Sequence, residues 1–323
     1  MDSPYSPTEF RLLNDFQRGF PLVAEPFADI ARRLECAQED VLRALDHLQQ
    51  RGAISRVGAV FAPWRVGVST LAAIAVPPER LDEVAARVSA HAEVNHNYQR
   101  DHHFNLWFVA TAADETALAA VLDGIAGESG RQVLSLPLVE QFHIDLGFDL
   151  CNGIKDRPAA GSFERLALSG EQRRLVAALQ PGLPLVERPF AAIGRQIGMS
   201  EGDVISLIAG WQESGVVKRL GVVVRHHELG YTANAMVVFD VPDDAVSAVG
   251  TRLAHENGVT LCYRRKRHPP EWPYNLYCMV HGRSREEVMP VIERLCRVAG
   301  HPCEHLFSTR RFKQQGARYF DGR

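Results

Sequence analysis

The sequence predicts an α+β protein made by tandem duplication, each copy a winged helix-turn-helix followed by a ferredoxin-like βαββαβ sandwich. Three observations predict it. The segment FPLVAEPFADIARRL from Phe20 returns as LPLVERPFAAIGRQI from Leu183, an offset of 163 residues that also carries Gly52, Arg56 and Gly58 onto Gly215, Arg219 and Gly221. Each copy opens with helical spacing and then alternates strand-like and helical stretches. The chain has 323 residues, 46% of them hydrophobic and 23% charged, enough for two domains with sizeable cores and too apolar for a largely disordered chain.

The elements follow in order. Asp40 to Gln49 places Val41, Leu42, Leu45 and Leu48 on one helical face, and Asp203 to Trp211 does so with Val204, Leu207, Ile208 and Trp211. A glycine turn comes next in each copy (Arg51-Gly52, Ser214-Gly215), then a short β-branched stretch ending in Arg-Val-Gly or Arg-Leu-Gly, the wing. Leu71–Val76, Glu93–Tyr98, Phe104–Thr111 and Val133–Phe142 read as strands. Helical spacing lies between them at Leu81, Val84, Ala85, Val88 and at Leu118, Val121, Leu122, Ile125. The second copy repeats this with strands at Thr232–Asp240, Val259–Tyr263, Tyr274–Val280 and near Glu304–Phe312, a helix from Asp243, and a helix through Val288, Val291, Ile292 and Leu295. The offset grows to 165 at Tyr98/Tyr263 and to 170 at Asn105/Asn275, so the second copy gains residues between Tyr263 and Asn275. The expected boundaries are a winged-helix unit 1–62, a sandwich 63–148, a linker 149–170, a second winged-helix unit 171–225 and a second sandwich 226–323.

Charge and motifs exclude several functions. The formal net charge is -3, with 36 Lys+Arg against 39 Asp+Glu, which argues against a protein that works by neutralising nucleic-acid phosphates. The first candidate recognition helix begins Gln38-Glu39-Asp40 and has one arginine, Arg43. The second, Ser200 to Trp211, has no basic residue. Acids set against phosphate repel it, so these helices read as scaffold rather than as DNA readers. No apolar run approaches the roughly 18–20 residues that cross a bilayer, and Met1–Phe10 lacks a basic segment leading into an apolar one, so the expected location is cytoplasmic. The six cysteines form no CxxC and read as reduced thiols. His301, Cys303 and His305 would share a strand face, but a half-buried face explains them and no metal site is assigned. P-loop, GxGxxG, HExxH and GxSxG signatures are absent.

Unusual chemistry concentrates at one equivalent place in each sandwich. In the first copy it is His96-Asn97-Tyr98-Gln99-Arg100-Asp101-His102-His103-Phe104-Asn105-Leu106-Trp107. In the second it runs from Cys262 through Tyr263, Arg264, Arg265, Lys266, Arg267 and His268 to Trp272, Tyr274 and Tyr277. Clustered arginines fork around carboxylate or phosphate oxygens, and the neighbouring aromatics offer flat apolar walls. Arginine, aromatic and histidine together describe a slot for a flat polyanionic ligand. A solvated charge run at a hairpin tip is the plain alternative for Arg264–Arg267, and an ordinary basic edge for Arg310, Arg311 and Lys313.

Tyr263-Arg264-Arg265, Arg267-His268-Pro269-Pro270, Trp272-Pro273-Tyr274-Asn275-Leu276, Gly230-Tyr231-Thr232-Ala233-Asn234 and Ser308-Thr309-Arg310-Arg311-Phe312-Lys313 resemble the NirL/AhbB type of siroheme decarboxylase subunit, a branch of the Lrp/AsnC superfamily. His102-His103-Phe104-Asn105-Leu106-Trp107-Phe108 resembles the NirD/AhbA type, so the whole chain resembles the fused NirDL arrangement. The resemblance implies an Lrp/AsnC-type sandwich and decarboxylation of the acetate side chains at positions 12 and 18 of siroheme, giving didecarboxysiroheme towards haem d1 or, by the alternative route, haem. It implies no cofactor beyond the iron-containing substrate, and as partners siroheme, further paralogous subunits of NirG/NirH type, or a second copy of the chain. On this reading His268, or His102 or His103, donates the proton. Arg264, Arg265, Arg267 and Arg310, with Arg100 as the first copy's counterpart of Arg265, clamp carboxylates. Arg311 and Lys313 add cations, Tyr98 and Tyr263 orient or donate, and Trp272 and Tyr274 line the slot. Whether one copy or both carries the chemistry stays open. A tetrapyrrole-sensing regulator and a non-catalytic tetrapyrrole carrier stand as the other readings.

Overall fold

The computed structural model describes residues 4–144, 165–225 and 232–320. Each copy begins with three helices and a wing strand. These are α1 (Pro7–Asp15), α2 (Pro26–Leu34), α3 (Gln38–Gln50) and β1 (Ile54–Phe61) in the first copy; a single helical turn, α4 (Pro63–Val66), follows. In the second copy they are α7 (Gly170–Leu179), α8 (Pro189–Ile197), α9 (Glu201–Glu213) and β6 (Val217–Val224). Local signals repeat with the duplication. Ser6 with Glu9 and Ser169 with Gln172 close matching capping boxes on α1 and α7, and Pro26 and Pro189 sit where a helix tolerates proline, in the first turn. The apolar faces of α3 (Val41, Leu45, Leu48) and α9 (Val204, Ile208, Trp211) are buried. Both triplets of helices share one core, in which Leu12, Phe27, Leu175 and Phe190 are fully enclosed.

The wings do not project outward. β1 and β6 pair with each other, antiparallel, with Gly58 opposite its own repeat equivalent Gly221. The two copies are therefore related by a pseudo-two-fold axis passing between these glycines, as in an isologous dimer interface. Neither glycine can carry a side chain cheaply: a Cβ on Gly221 would stand 2.4 Å from the Gln17 carbonyl oxygen and 2.5 Å from that of Phe16.

The sandwiches follow the expected order. The first is β2 (Val68–Ile74), α5 (Leu81–Ala90), β3 (Val94–Arg100), β4 (Leu106–Ala112), α6 (Glu115–Ser129) and β5 (Leu134–Ile144). The second is β7 (Ala233–Phe239), α10 (Val246–Ala254), β8 (Val259–Arg265), β9 (Leu276–Gly282), α11 (Arg285–Ala299) and β10 (Cys303–Gln314). Each makes a four-stranded antiparallel sheet. The sheets meet at both edges, β5 with β8 and β10 with β3, and close an eight-stranded barrel. Closure satisfies the edge strands that either sheet alone would expose. The four sandwich helices, α5, α6, α10 and α11, cover the outside over two apolar cores, one per copy.

Three expectations change. The expected linker lies outside the described residues up to 164, and its last residues already cap and begin α7 at Ser169 and Gly170. Beyond Gln314 the chain leaves the second sandwich. The Thr111 hydroxyl donates to the Arg318 carbonyl at 2.9 Å, and Tyr319 is buried in the helical core. Cys296 and Cys303 form a disulfide where reduced thiols were expected, because the end of α11 lies beside the start of β10; Cys303 is thereby removed from the His301/His305 grouping. Cys36, Cys262 and Cys278 are free thiols. Among the described residues no helix is long and apolar enough to cross a membrane.

The crowding at the wing axis gives a paired stability test. Gly221→Ala should lower the unfolding free energy by about 1–3 kcal/mol through overpacking. Gly127→Ala, in the interior of α6 with nothing within 4 Å of its built Cβ, should raise it by about 0.5–1 kcal/mol. Urea denaturation of the two variants against the parent chain reads both.

Candidate functional site

Strand alternation decides which side chains enter the barrel. On β3 and β8 the inward residues are His96, Tyr98 and Arg100, and Leu261, Tyr263 and Arg265. On β4 and β9 they are Trp107, Val109 and Thr111, and Tyr277, Met279 and His281. With the paired wing strands above, these residues enclose a cavity of about 520 Å³ lying on the pseudo-two-fold axis. Eight cationic side chains line it: Arg100, Arg265, Arg310 and Arg311 from the barrel, and Arg56, Lys218, Arg219 and Arg225 from and just beyond the wings. Among the described residues no aspartate or glutamate lines it.

The two buried arginines are held symmetrically. Arg100 Nη1 donates to the Leu306 carbonyl and Arg265 Nη1 to that of Leu136, each at 2.9 Å, so each reaches across a barrel seam into the other copy. The Nε atoms of Arg56, Arg100 and Arg265 are buried and have no hydrogen-bond partner. Burial pulls Arg100 down to about 10. It also pulls Lys218 down to about 8, although this ammonium sits 4.6 Å from the Trp64 ring centroid and donates to Gln141 at 3.0 Å. These groups raise the local potential, which favours an anion in the cavity.

Two imidazoles share this environment. Burial, then the Arg56 charge, pushes His96 down to about 4; burial, then the Arg100 charge, does the same to His281. His281 is fixed by its neighbours. Thr260 Oγ1 donates to the Met279 carbonyl at 3.0 Å and so accepts from His281 Nδ1 at 2.8 Å, while Asn234 Nδ2 lies 3.1 Å from Nε2. His96 Nδ1 lies 3.2 Å from Asn95 Oδ1, with its ring stacked near Tyr98. Burial raises the Tyr98 and Tyr263 hydroxyls above the usual phenol range.

The structure brings Tyr98, Tyr263, Arg100, Arg265, Arg310 and Arg311 to this cavity; Arg310 is exposed and paired with Asp82. It does not bring the other nominated residues there. Arg264 alternates outward, 3.2 Å from Asp243. Arg267 is occupied by Asp240 and the Pro273 and Val241 carbonyls. His268 lies 3.3 Å from Glu271 in a turn closed by backbone bonds between His268 and Trp272. His102 lies 3.5 Å from Glu304 and takes a bond from the Phe104 amide, and His103 is exposed beside Phe104. Tyr274 donates to Glu304 at 2.8 Å. Lys313 caps the end of α5 through the Ser89 and His91 carbonyls. Trp272 is 1% exposed and backs the cavity wall, donating at 2.6 Å to the hydroxyl of Tyr277 and packing 5.0 Å from Trp107. The inserted Arg-His-Pro-Trp string is thus folded on itself and does not line the cavity. Sequence reasoning assigned no role to His96 or to the wing arginines Arg56 and Arg219, and did not single out His281 or Lys218. Period-two alternation continued through β9, applied to both copies, reaches His281.

Comparisons with known proteins agree with the two-copy architecture. The family model "AsnC-like ligand binding domain" matches residues 65–143 and 228–313, and "Siroheme decarboxylase NirDL-like HTH domain" matches 9–54 and 172–217. The siroheme decarboxylase NirDL subunit of Paracoccus denitrificans (strain Pd 1222) is 46% identical over 316 residues, covering 96% of both chains. A crystal structure of the siroheme decarboxylase NirDL in co-complex with an iron-uroporphyrin III analogue superposes with a TM-score of 0.70 at 30% identity, over 97% of this chain and 94% of that one. A single-copy relative, the NirH subunit of Pseudomonas aeruginosa (strain PAO1), is 40% identical over 149 residues, 45% of this chain and 87% of its own.

The depressed imidazoles predict acid sensitivity. Unfolded histidine binds a proton near pH 6.5, whereas His96 and His281 stay neutral in the fold down to about 4. Stability should therefore fall as pH drops from 6.5 to 4, by up to roughly 2–3 kcal/mol for each imidazole. His281→Gln should remove about half of this decline, read by urea denaturation at a series of pH values.

Proposed function

The chain belongs to the siroheme decarboxylase family of the fused NirDL type, and from that premise we propose that it decarboxylates the acetates at positions 12 and 18 of siroheme, yielding didecarboxysiroheme towards haem d1. The observation that carries this reading is the cavity lining, which among the described residues has eight cations and no carboxylate, in a chain whose net charge is -3. Siroheme is flat and carries eight carboxylates. Arginine and lysine on the barrel and wings hold those carboxylates and fix the ring's orientation. Tyr98, Tyr263, Trp107 and Tyr277 provide its aromatic walls.

Each step breaks the bond between the acetate methylene and its carboxylate. Carbon dioxide leaves, the electron pair passes to the methylene carbon and the conjugated ring, and one proton converts the methylene to a methyl group. The acid is an imidazole of the cavity, His96 or His281. Both are neutral beside arginine alone. A bound polycarboxylate adds negative charge next to them and raises their proton affinity, so substrate binding itself brings the proton. His268, His102 and His103 have no part in this reading, because none of them lines the cavity. No cofactor beyond the substrate's own iron is invoked. The paralogous NirG/NirH-type subunits are partners on this reading.

The deciding experiment is anaerobic incubation of the purified chain with siroheme, alone and with an NirH-type subunit, followed by mass spectrometry of the tetrapyrrole. Loss of two carbon dioxides is expected. Binding without loss under either condition would turn the reading to a carrier, and no binding would remove the tetrapyrrole assignment. In absorbance titrations Arg56→Gln and Lys218→Gln should each weaken siroheme binding about tenfold or more, the worth of one charge-assisted hydrogen bond. Arg264→Gln, which faces outward, should change it less than about twofold.

A further inference from the structure

The two halves of the cavity have matching walls, with Tyr98 and Tyr263, and Arg100 and Arg265, at equivalent corners. The chain after β10 breaks this symmetry. Residues 315–320 form a strap, and Gln315, Gly316, Ala317 and Tyr319 line the cavity. The strap is tied down along its length. The Gln315 amide donates to the Asn95 carbonyl at 2.8 Å, and the Arg318 carbonyl accepts from Thr111 at 2.9 Å. Gln180 takes the Tyr319 and Phe320 amides on Oε1 and donates from Nε2 to the Phe320 carbonyl at 2.8 Å. Gln17, the repeat equivalent of Gln180, donates instead to the Leu13 carbonyl of its own copy at 2.7 Å.

The strap closes on one cation of the lining. Arg56 lies between two glycines: a Cβ on Gly316 would stand 2.5 Å from its Nη1, and one on Gly182 2.8 Å from its Cβ. Its Nη2 donates to the Ala59 carbonyl at 3.2 Å. Burial pulls this guanidinium below the usual arginine range, and the nearby Tyr319 oxygen acts against that. Arg219, the repeat equivalent of Arg56, is held differently, by the Gln17 carbonyl at 3.2 Å, and Gly19, the equivalent of Gly182, has nothing within 4 Å of its built Cβ.

We propose that the strap sets the orientation of the bound ring: through Gly316 and Tyr319 it fixes Arg56, and the fixed guanidinium selects one of the two orientations that the matching walls would otherwise accept. This rests on the siroheme decarboxylase reading above. An in-plane axis through the meso carbon between rings C and D exchanges the two reactive acetates of siroheme. The two orientations differ at rings A and B, where an acetate and a propionate trade places. A cation held two residues from the Gly58/Gly221 axis meets one or the other. The acetate is one carbon shorter, so a guanidinium with few alternative conformations cannot follow it and discriminates between them.

The test measures siroheme binding to the full chain by anaerobic absorbance titration. It also resolves the singly decarboxylated isomers formed early in the reaction, by chromatography and NMR, with the NirH-type partner present if turnover requires one. Gly316→Ala pushes the guanidinium aside, and Tyr319→Phe removes the hydroxyl while keeping the ring in the helical core. Each should weaken binding about threefold to tenfold, and neither should weaken it further in an Arg56→Gln background, since effects that pass through one group do not add. The parent should give one early isomer and each variant a mixture. Losses that add to that of Arg56→Gln would make the strap a structural support only and overturn the proposal. Parent affinity in both variants overturns it too, as does an isomer ratio equal to the parent's. Should Gly316→Ala fail to fold, Tyr319→Phe decides. A parent chain that binds no siroheme, or binds it without turnover, removes the underlying decarboxylase reading instead.

Discussion

Closure of the barrel is the constraint on which the rest of the molecule depends. A four-stranded antiparallel sheet with helices on one face leaves its other face and both edges unsatisfied. Here each copy solves the other's problem: β5 pairs with β8 and β10 with β3. Arg100 and Arg265 then cross the two seams to the Leu306 and Leu136 carbonyls. A buried charge-assisted hydrogen bond contributes about 1.5–3 kcal/mol and is costly to break, since its partner would be left buried and unpaired. The same two guanidinium groups that fasten the seams also line the cavity. Structure and ligand site are therefore built from one pair of side chains.

The wing sheet extends this logic. In a winged helix the wing is ordinarily free to meet a nucleic acid backbone. In this chain the two wings bind each other around Gly58 and Gly221, and their side chains turn toward the barrel. Cations at or beside the wing strands make up half of the cationic lining. The first turns of α3 and α9 remain acidic, with Glu39, Asp40, Glu201 and Asp203. The cations of the wings face inward, and this explains how a chain with more acids than bases carries a strongly cationic interior.

Much of the fold was legible in the sequence because duplication and periodicity are local properties. The repeated LVxxPFAxI segment, the capping residues and the alternation of 2.0- and 3.6-type spacing all lie within short windows. The site was legible only in part. Tyr98/Tyr263 and Arg100/Arg265 stood out because they repeat. His281 did not, because its repeat equivalent is Thr111, and His96 drew no role because its equivalent is Leu261. The most conspicuous string misdirected the reading for a physical reason. Arg267 is consumed by Asp240 and two carbonyls, and Trp272 by Tyr277 and Trp107. Charge and aromaticity in a row announce interactions but not their direction. The cationic cavity exists only when five segments far apart in sequence are brought together.

That asymmetry is what fusion permits. In a dimer of identical chains every substitution appears twice, so an imidazole added at one corner appears at both and a change that suits one side of a ligand is imposed on the other. Joining the copies in one chain frees each corner to vary alone. Leu261 against His96, Thr111 against His281, Ser69 against Asn234 and Ser55 against Lys218 are all places where the cavity walls have diverged while Tyr98/Tyr263 and Arg100/Arg265 have not. The retained pairs sit where the seams need them. The diverged pairs sit where a ligand without full two-fold symmetry would need different neighbours.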